Sequence, residues 1–403
     1  IDPHYTAPTV WVKDASRAVG VAQSLISRDL RQAFVAANEA DYAEIRARHR
    51  NRGDAKRLVS LEKARAQKFD GGWDSYTPPA PRQPGLQVFD DYPLDELIEL
   101  IDWTPFFQAW ELAGKFPAIL SDEIVGPQAS ELYRDARRML KRIVEEKWLT
   151  AKAVFGLWPA NSVGDDVVVL TEPADSAIPH GESHSAAEAL DHSRFSIPHS
   201  LHFLRQQVDK PVDRPDFCLA DFIAPRSSGK QDWIGAFAVT AGIGIDPHVA
   251  RFEAAHDDYN SILLKALADR LAEALAERLH QRVRTEFWGY IADETLDNEA
   301  LIAERYQGIR PAPGYPACPE HSEKRTLFHL LHAERNAAMS LTESFAMLPT
   351  AAVSGYYFSH PKSQYFVVGR LGKEQVADYA KRKGIMLALA ERWLASNLDY
   401  DPE

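Results

Sequence analysis

Leucines at 263, 267, 271, 275 and 279 recur every fourth residue, and Val283 and Phe287 continue the row. That spacing predicts a long amphipathic helix over 258–290 with its apolar stripe on a core. Weaker helical patterns cover 93–102, 104–115 and 128–147, and Lys373–Lys383 ends at Gly384, a residue suited to a left-handed helix stop. Strands are expected where β-branched and aromatic residues cluster between turn formers, at 153–159, 166–170, 217–223, 233–240, 351–358 and 365–370. The last two would form a hairpin across Ser359–Ser363. These strands are not regularly interleaved with crossover helices, so the expected class is α+β rather than a doubly wound sheet. No internal repeat is present.

The ends and interruptions of this pattern suggest the domain limits. Ala7–Ser16 reads as a short β-rich run followed by a helical pattern from Gln23 to Phe34, like the last β-α unit of an α/β domain. Residues 40–87 lose apolar periodicity, become rich in Arg and Lys, and run into Tyr76-Thr-Pro-Pro-Ala-Pro81; an interdomain linker suits them, with only a weak helical signal around Arg46. One domain then covers 88–403. Residues 172–198, dominated by Pro, Ser, Glu and Ala, read as a flexible insertion. The start, Ile1-Asp-Pro-His4, lacks an initiator Met and an apolar leader, which suggests that the chain begins inside a longer polypeptide.

Composition narrows the partners. The 403 residues carry a net charge of −12, which disfavours nucleic acid, and no apolar run is long enough to span a membrane. Two cysteines, Cys218 and Cys318, are too few for a disulfide framework or a Cys-type zinc site and fit a reducing, cytoplasmic setting. Strict catalytic patterns are missing. There is no H-E-x-x-H and no G-x-S-x-G; Gly235, Gly242 and Gly244 have the wrong spacing for a dinucleotide loop, and Ser228-Gly-Lys230 lacks the first glycine of a P-loop. His180 and His184 sit in a loop-like stretch rather than at helical metal-binding spacing. Asp269, Glu273 and Glu277 recur every four positions on the long helix, as a solvated face or, alternatively, as one wall of a cation-binding groove.

The segment RPAPGYPACPEH, 310–321, places four prolines and one glycine in twelve residues, so neither helix nor central strand can run through it. Arg310 beside such a turn can offer a fixed fork to a carboxylate, free backbone carbonyls can accept from an amine or adenine, and Tyr315 can supply an aromatic face. A nucleoside-linked amino acid would have those complementary groups. A surface turn merely stiffened by its prolines stands as the alternative.

Six stretches, in order, carry a resemblance: Ile101-Asp-Trp-Thr-Pro-Phe-Phe107, Cys218-Leu-Ala-Asp-Phe222, Gly235-Ala-Phe-Ala-Val-Thr240, His256-Asp-Asp-Tyr-Asn260, Arg310–His321 and Leu341-Thr-Glu-Ser-Phe-Ala-Met347. Over 88–403 the chain resembles the C-terminal activation domain of cobalamin-dependent methionine synthase, and Val12–Val21 resembles the end of that family's cobalamin-binding domain, here residues 1–39. The resemblance implies a twisted antiparallel sheet with flanking helices and a groove for S-adenosylmethionine. By motif position it implies that Asp102 pairs with the ligand's ammonium, Arg310 with its carboxylate, and that Ala312, Tyr315 and Tyr365 line the groove. Asp102 also has a plainer use as a helix start. Phe366 stands where the family has a second tyrosine, which removes a hydroxyl and leaves backbone or ring contact.

The implied role is reductive methylation of cob(II)alamin to reactivate methionine synthase, a methyltransferase of methionine biosynthesis. Positioning, with no catalytic side chain, would be this chain's part. The implied partners are the cobalamin-binding domain and flavodoxin or a diflavin reductase as electron donor. Neither the Asp-x-His-x-x-Gly cobalamin signature nor a cysteine cluster for zinc occurs here, so cobalamin and zinc would belong to other parts of the full enzyme. Two other functions are a module that only docks the redox partner and cobalamin domain, and a stand-alone methyltransferase.

Overall fold

The computed structural model describes residues 7–12, 15–53, 58–172 and 195–402, and the chain divides into two compact units, 1–59 and 60–403. In the first, helix α1 (Ala15–Ile26) is followed by α2 (Arg31–Gly53). The segment before α1 is tied to α2 by the Tyr42 hydroxyl, which accepts from the Trp11 N–H at 2.7 Å, and by the Asn38 amide, which donates to the Thr9 carbonyl at 3.1 Å. No strand forms among the described residues of 7–16, contrary to the β-rich expectation. Helix α2 runs through the first part of the expected linker, residues 40–53, where the sequence carried a weak helical signal around Arg46. Its Ala, Glu and Arg content favours a helix without an apolar stripe, which is why that signal was weak.

The second unit takes in residues 60–87 as well, beginning with α3 (Leu61–Ala66). Strand β1 (Gly85–Tyr92) precedes the short helices α4 (Leu94–Ile98) and α5 (Trp103–Ala109) and the longer α6 (Gly126–Glu145). Then come β2 (Thr150–Val163), β3 (Asp166–Thr171), β4 (Ile197–His202) and β5 (Asp232–Ile243). Helices α7 (Ile245–Ala254) and α8 (Asp258–Arg282) follow, and a single π-turn, Val283–Phe287, extends α8. Helix α9 (Glu323–Leu331), strand β6 (Ala352–Tyr357) and helix α10 (Lys373–Lys383) complete the frame.

Six strands make one antiparallel sheet in the order β4-β3-β2-β5-β6, with β1 also paired to β2. Both central strands are buried nearly throughout, because helices cover both faces. Adjacent residues of β6 mark the two sides, as pleating requires. The Tyr357 ring stacks on Phe237 at 4.7 Å and on His280 of α8 at 5.1 Å, while Tyr356 turns toward Phe203 and Glu323 of α9. This is the expected α+β class.

Two expected strands are absent. Phe217–Ile223 contains a 3-10 turn, Leu219–Phe222, whose Asp221 carboxylate accepts from the Cys218 N–H at 3.0 Å. Its aromatic content reflects packing of Phe217 and Phe222 on Phe69, not sheet pairing. Residues 365–370 are irregular and do not form a hairpin with β6; Val368 instead donates to the Pro316 carbonyl at 2.9 Å. Most of the 172–198 insertion, with His180 and His184, lies outside the described residues, but Ile197 and Pro198 already belong to β4.

One buried cation joins several of these pieces. Arg205, 1% exposed, donates to Asp165 and Asp221 at 2.7 Å and to the Asp216 carbonyl at 2.7 Å. Its backbone N–H reaches Gln375 of α10 at 2.7 Å. Burial opposes ionisation of Asp165, yet Arg205 and Arg65 hold its carboxyl below the usual range. Replacing Arg205 with Ala leaves Asp221 without its cation and Asp165 with Arg65 alone, so urea unfolding should show a loss of about 3–5 kcal/mol.

Asp232 at the start of β5 behaves oppositely. Burial pushes its carboxyl up to about 7, against two backbone N–H donors, Ala224 and Trp233, each at 2.7 Å. The unfolded chain releases this proton near the ordinary carboxylate value of 3.8, so the folded state is disfavoured progressively as pH rises from there through about 7. Wild-type stability relative to Asp232→Asn should therefore fall between roughly pH 4 and pH 7 in urea titrations; a constant difference would contradict a raised carboxyl.

Candidate functional site

The proline-rich loop is fastened to the free edge of β6. Ile309 and Phe358 exchange both backbone bonds at 3.0 Å, and the Pro311 carbonyl accepts from Tyr356 N–H at 2.9 Å. Proline fits because only its carbonyl is required there. Gly355 permits the close approach, since a Cβ at that position would lie 2.7 Å from the Pro311 oxygen. Further along, Gly314 takes φ +97° and donates to the Cys318 carbonyl at 2.7 Å, while Tyr315 N–H reaches the Ala312 carbonyl at 3.2 Å. Ala312 and Tyr315 thus belong to one compact turn, and Tyr315 leaves its ring 63% exposed.

Arg310 points from this edge onto α8. Its Nη1 donates to Glu277 Oε2 at 2.7 Å, to the Tyr306 hydroxyl at 3.0 Å and, more weakly, to His280 Nδ1 at 3.4 Å. Its backbone N–H donates to the Tyr365 hydroxyl at 3.0 Å. Burial works against the guanidinium charge, but Glu277, Tyr306 and Tyr365 hold it above the ordinary arginine range. The His280 imidazole is driven well below its usual range by burial and by Arg284 and Arg310, and is neutral. Burial also raises the carboxyls of Glu273 and Glu304, with Arg310 pulling both the other way.

The structure therefore brings Arg310 and Tyr365 into contact and joins Ala312 and Tyr315 to the same loop. Phe366 turns the other way: its ring packs on Phe217 at 5.6 Å and Phe222 at 6.4 Å. Asp102 caps α5, accepting from Thr104 N–H at 3.0 Å, and no hydrogen bond or ion pair among the described residues joins it to Arg310. Its helix packs on α8, which carries Glu273 and Glu277.

The acidic row on α8 changes character along its length. Asp269 is exposed, Glu273 half-buried and Glu277 buried at 7%, so its last member is not on a solvated face. Helices on one side and the sheet on the other enclose α8, and a charge opposite a leucine stripe need not meet water. Tyr306 and His280 were also unmarked in the sequence; a tyrosine just before the loop and a histidine three residues after Glu277 were the available signals.

This geometry defines an α+β domain bearing a half-buried arginine, flanked by carboxylates, on a loop locked to the sheet edge. Residues 93–384 match the family model for the vitamin B12-dependent methionine synthase activation domain, and the chain belongs to that family. It is 51% identical to a crystal structure of the MetH reactivation domain bound to AdoHcy, with a TM-score of 0.78 over 85% of this chain and 99% of that one.

The loop attachment is directly testable. Gly355→Ala should lower the unfolding free energy by about 1–3 kcal/mol, because the new methyl group must displace the Pro311 carbonyl or the Phe237 ring. Denaturant titration measures it, and an unchanged midpoint would show that the edge yields freely.

Proposed function

We propose that this chain binds S-adenosylmethionine and holds its methyl group for the reductive methylation that reactivates methionine synthase. The observation that carries the proposal is Arg310, a half-buried cation fixed between Glu277, Tyr306 and the proline-rich turn. Family membership and the AdoHcy held by the related reactivation domain support the ligand class.

The residues present fit that ligand. A planar guanidinium matches the carboxylate of the amino-acid end. Glu273 and Glu304, whose burial favours the neutral acid, would stay ionised beside an ammonium or a sulfonium. Asp102 has one carboxylate oxygen committed to Thr104 and the other available for the ammonium. Tyr365 fixes the Arg310 backbone; Ala312 and Tyr315 would flank the nucleoside with backbone and ring, and Phe366, whose ring packs on Phe217, would contribute only through its main chain.

Cobalamin, held by another domain, supplies the reduced cobalt nucleophile that takes the methyl group. The chain's own share is orientation: a loop held at both ends by backbone bonds presents the donor without reorganising. Residues 1–39 would close the cobalamin-binding domain, and flavodoxin or a diflavin reductase would deliver the electron.

Isothermal titration of the intact chain with S-adenosylmethionine and S-adenosylhomocysteine should give saturable heats. Arg310→Ala should weaken both by roughly 10- to 100-fold, the effect of losing a charge-assisted pair. No saturable binding, or equal affinity in the variant, would overturn the assignment.

A further inference from the structure

We infer that Glu277 is the positioning residue of the site: it occupies one end of the Arg310 guanidinium and so turns the Nε–Nη2 edge toward a ligand carboxylate. This rests on the proposal that Arg310 receives that carboxylate. An Nη1 nitrogen has two protons. Three acceptors converge on it, the Glu277 carboxylate at 2.7 Å, the Tyr306 hydroxyl at 3.0 Å and His280 Nδ1 at 3.4 Å. All the side-chain hydrogen bonds of Arg310 among the described residues run through this one atom. Nη1 therefore has no proton left to offer, and a bidentate partner must use the remaining edge, whose Nε–H and Nη2–H run parallel.

Glu277 is itself held. Its other oxygen, Oε1, faces Arg284 Nη1 at 4.0 Å, and Arg284, fully buried, is clamped by Glu294 through Nη2 at 2.6 Å and Nε at 2.8 Å. Tyr306 lies beneath both arginines, 4.2 Å from the Arg284 guanidinium and 5.9 Å from that of Arg310. Charges alternate from Glu294 through Arg284 and Glu277 to Arg310, so Glu277 stands between two cations. Glu277 could in principle act instead as a competitor that the ligand carboxylate must displace. The saturation of Nη1 alone argues against competition, because the opposite edge is available without breaking the pair.

These two roles differ in sign. The test compares S-adenosylhomocysteine with 5′-methylthioadenosine, which lacks the amino-acid end, by titration into the intact wild-type chain, Glu277→Gln, Arg310→Ala and the double variant. Positioning predicts that Glu277→Gln weakens S-adenosylhomocysteine about tenfold, leaves 5′-methylthioadenosine unchanged, and adds nothing in the Arg310→Ala background. Unchanged or tighter S-adenosylhomocysteine binding, or equal loss for both ligands, overturns it. Should Glu277→Gln fail to fold, Tyr306→Phe decides: removal of a second Nη1 acceptor must weaken S-adenosylhomocysteine about threefold with the same selectivity, and no effect overturns the inference. Failure of the ligand proposal is separately visible, as absent wild-type binding or an Arg310→Ala variant that binds equally well.

Discussion

The backbone exchange between Ile309 and Phe358, prolonged by the Tyr356 to Pro311 bond, is the constraint on which the site depends. It converts a proline-rich segment, unable to join a central strand, into the border of a six-stranded sheet. Once that border is fixed, Arg310 has one place to go: the side of the sheet covered by α8. Gly355 makes the approach possible by having no side chain, and Gly314 lets the chain turn back with a φ of +97°.

Charge burial is the second organising rule. Arg205 and Arg284 are withdrawn from water and Arg310 is half-buried, and each meets at least one carboxylate within hydrogen-bonding distance. The Arg205 group ties the β3 turn to α10, far along the chain, whereas the Arg284 and Arg310 groups tie the end of α8 to the segments that follow it. Such pairs stabilise poorly compared with well-packed apolar contacts, but an unpaired member is costly, so they specify one arrangement more than they add stability.

The sequence conveyed the parts governed by local pattern. The leucine row marked α8 because five buried leucines share one stripe, and the β5 and β6 strands stood out through their aromatic and β-branched content. Strand β1 was hidden beside prolines that resembled a linker, and β4 by a half-exposed composition ending a polar stretch. Residues 217–223 and 365–370 misled for the opposite reason: Phe217, Phe222 and Phe366 pack on one another, yet the backbone bonds of these stretches go to turns and to the proline-rich loop. At the site, Arg310 was legible from its prolines and from family resemblance. Glu277 showed only as a member of an acidic row open to two readings, because α8 is covered on more than its leucine side, and helical periodicity alone does not reveal what packs against the other faces.

The attachment of 309–311 also bears on solubility. A terminal strand with open N–H and C=O groups is a template for edge-to-edge aggregation. Here β6 is occupied by a segment whose own outer side is interrupted at Pro311, Pro313, Pro316 and Pro319, none of which can donate to an incoming strand. The loop that presents a charge at the sheet's margin thereby also closes that margin to other chains.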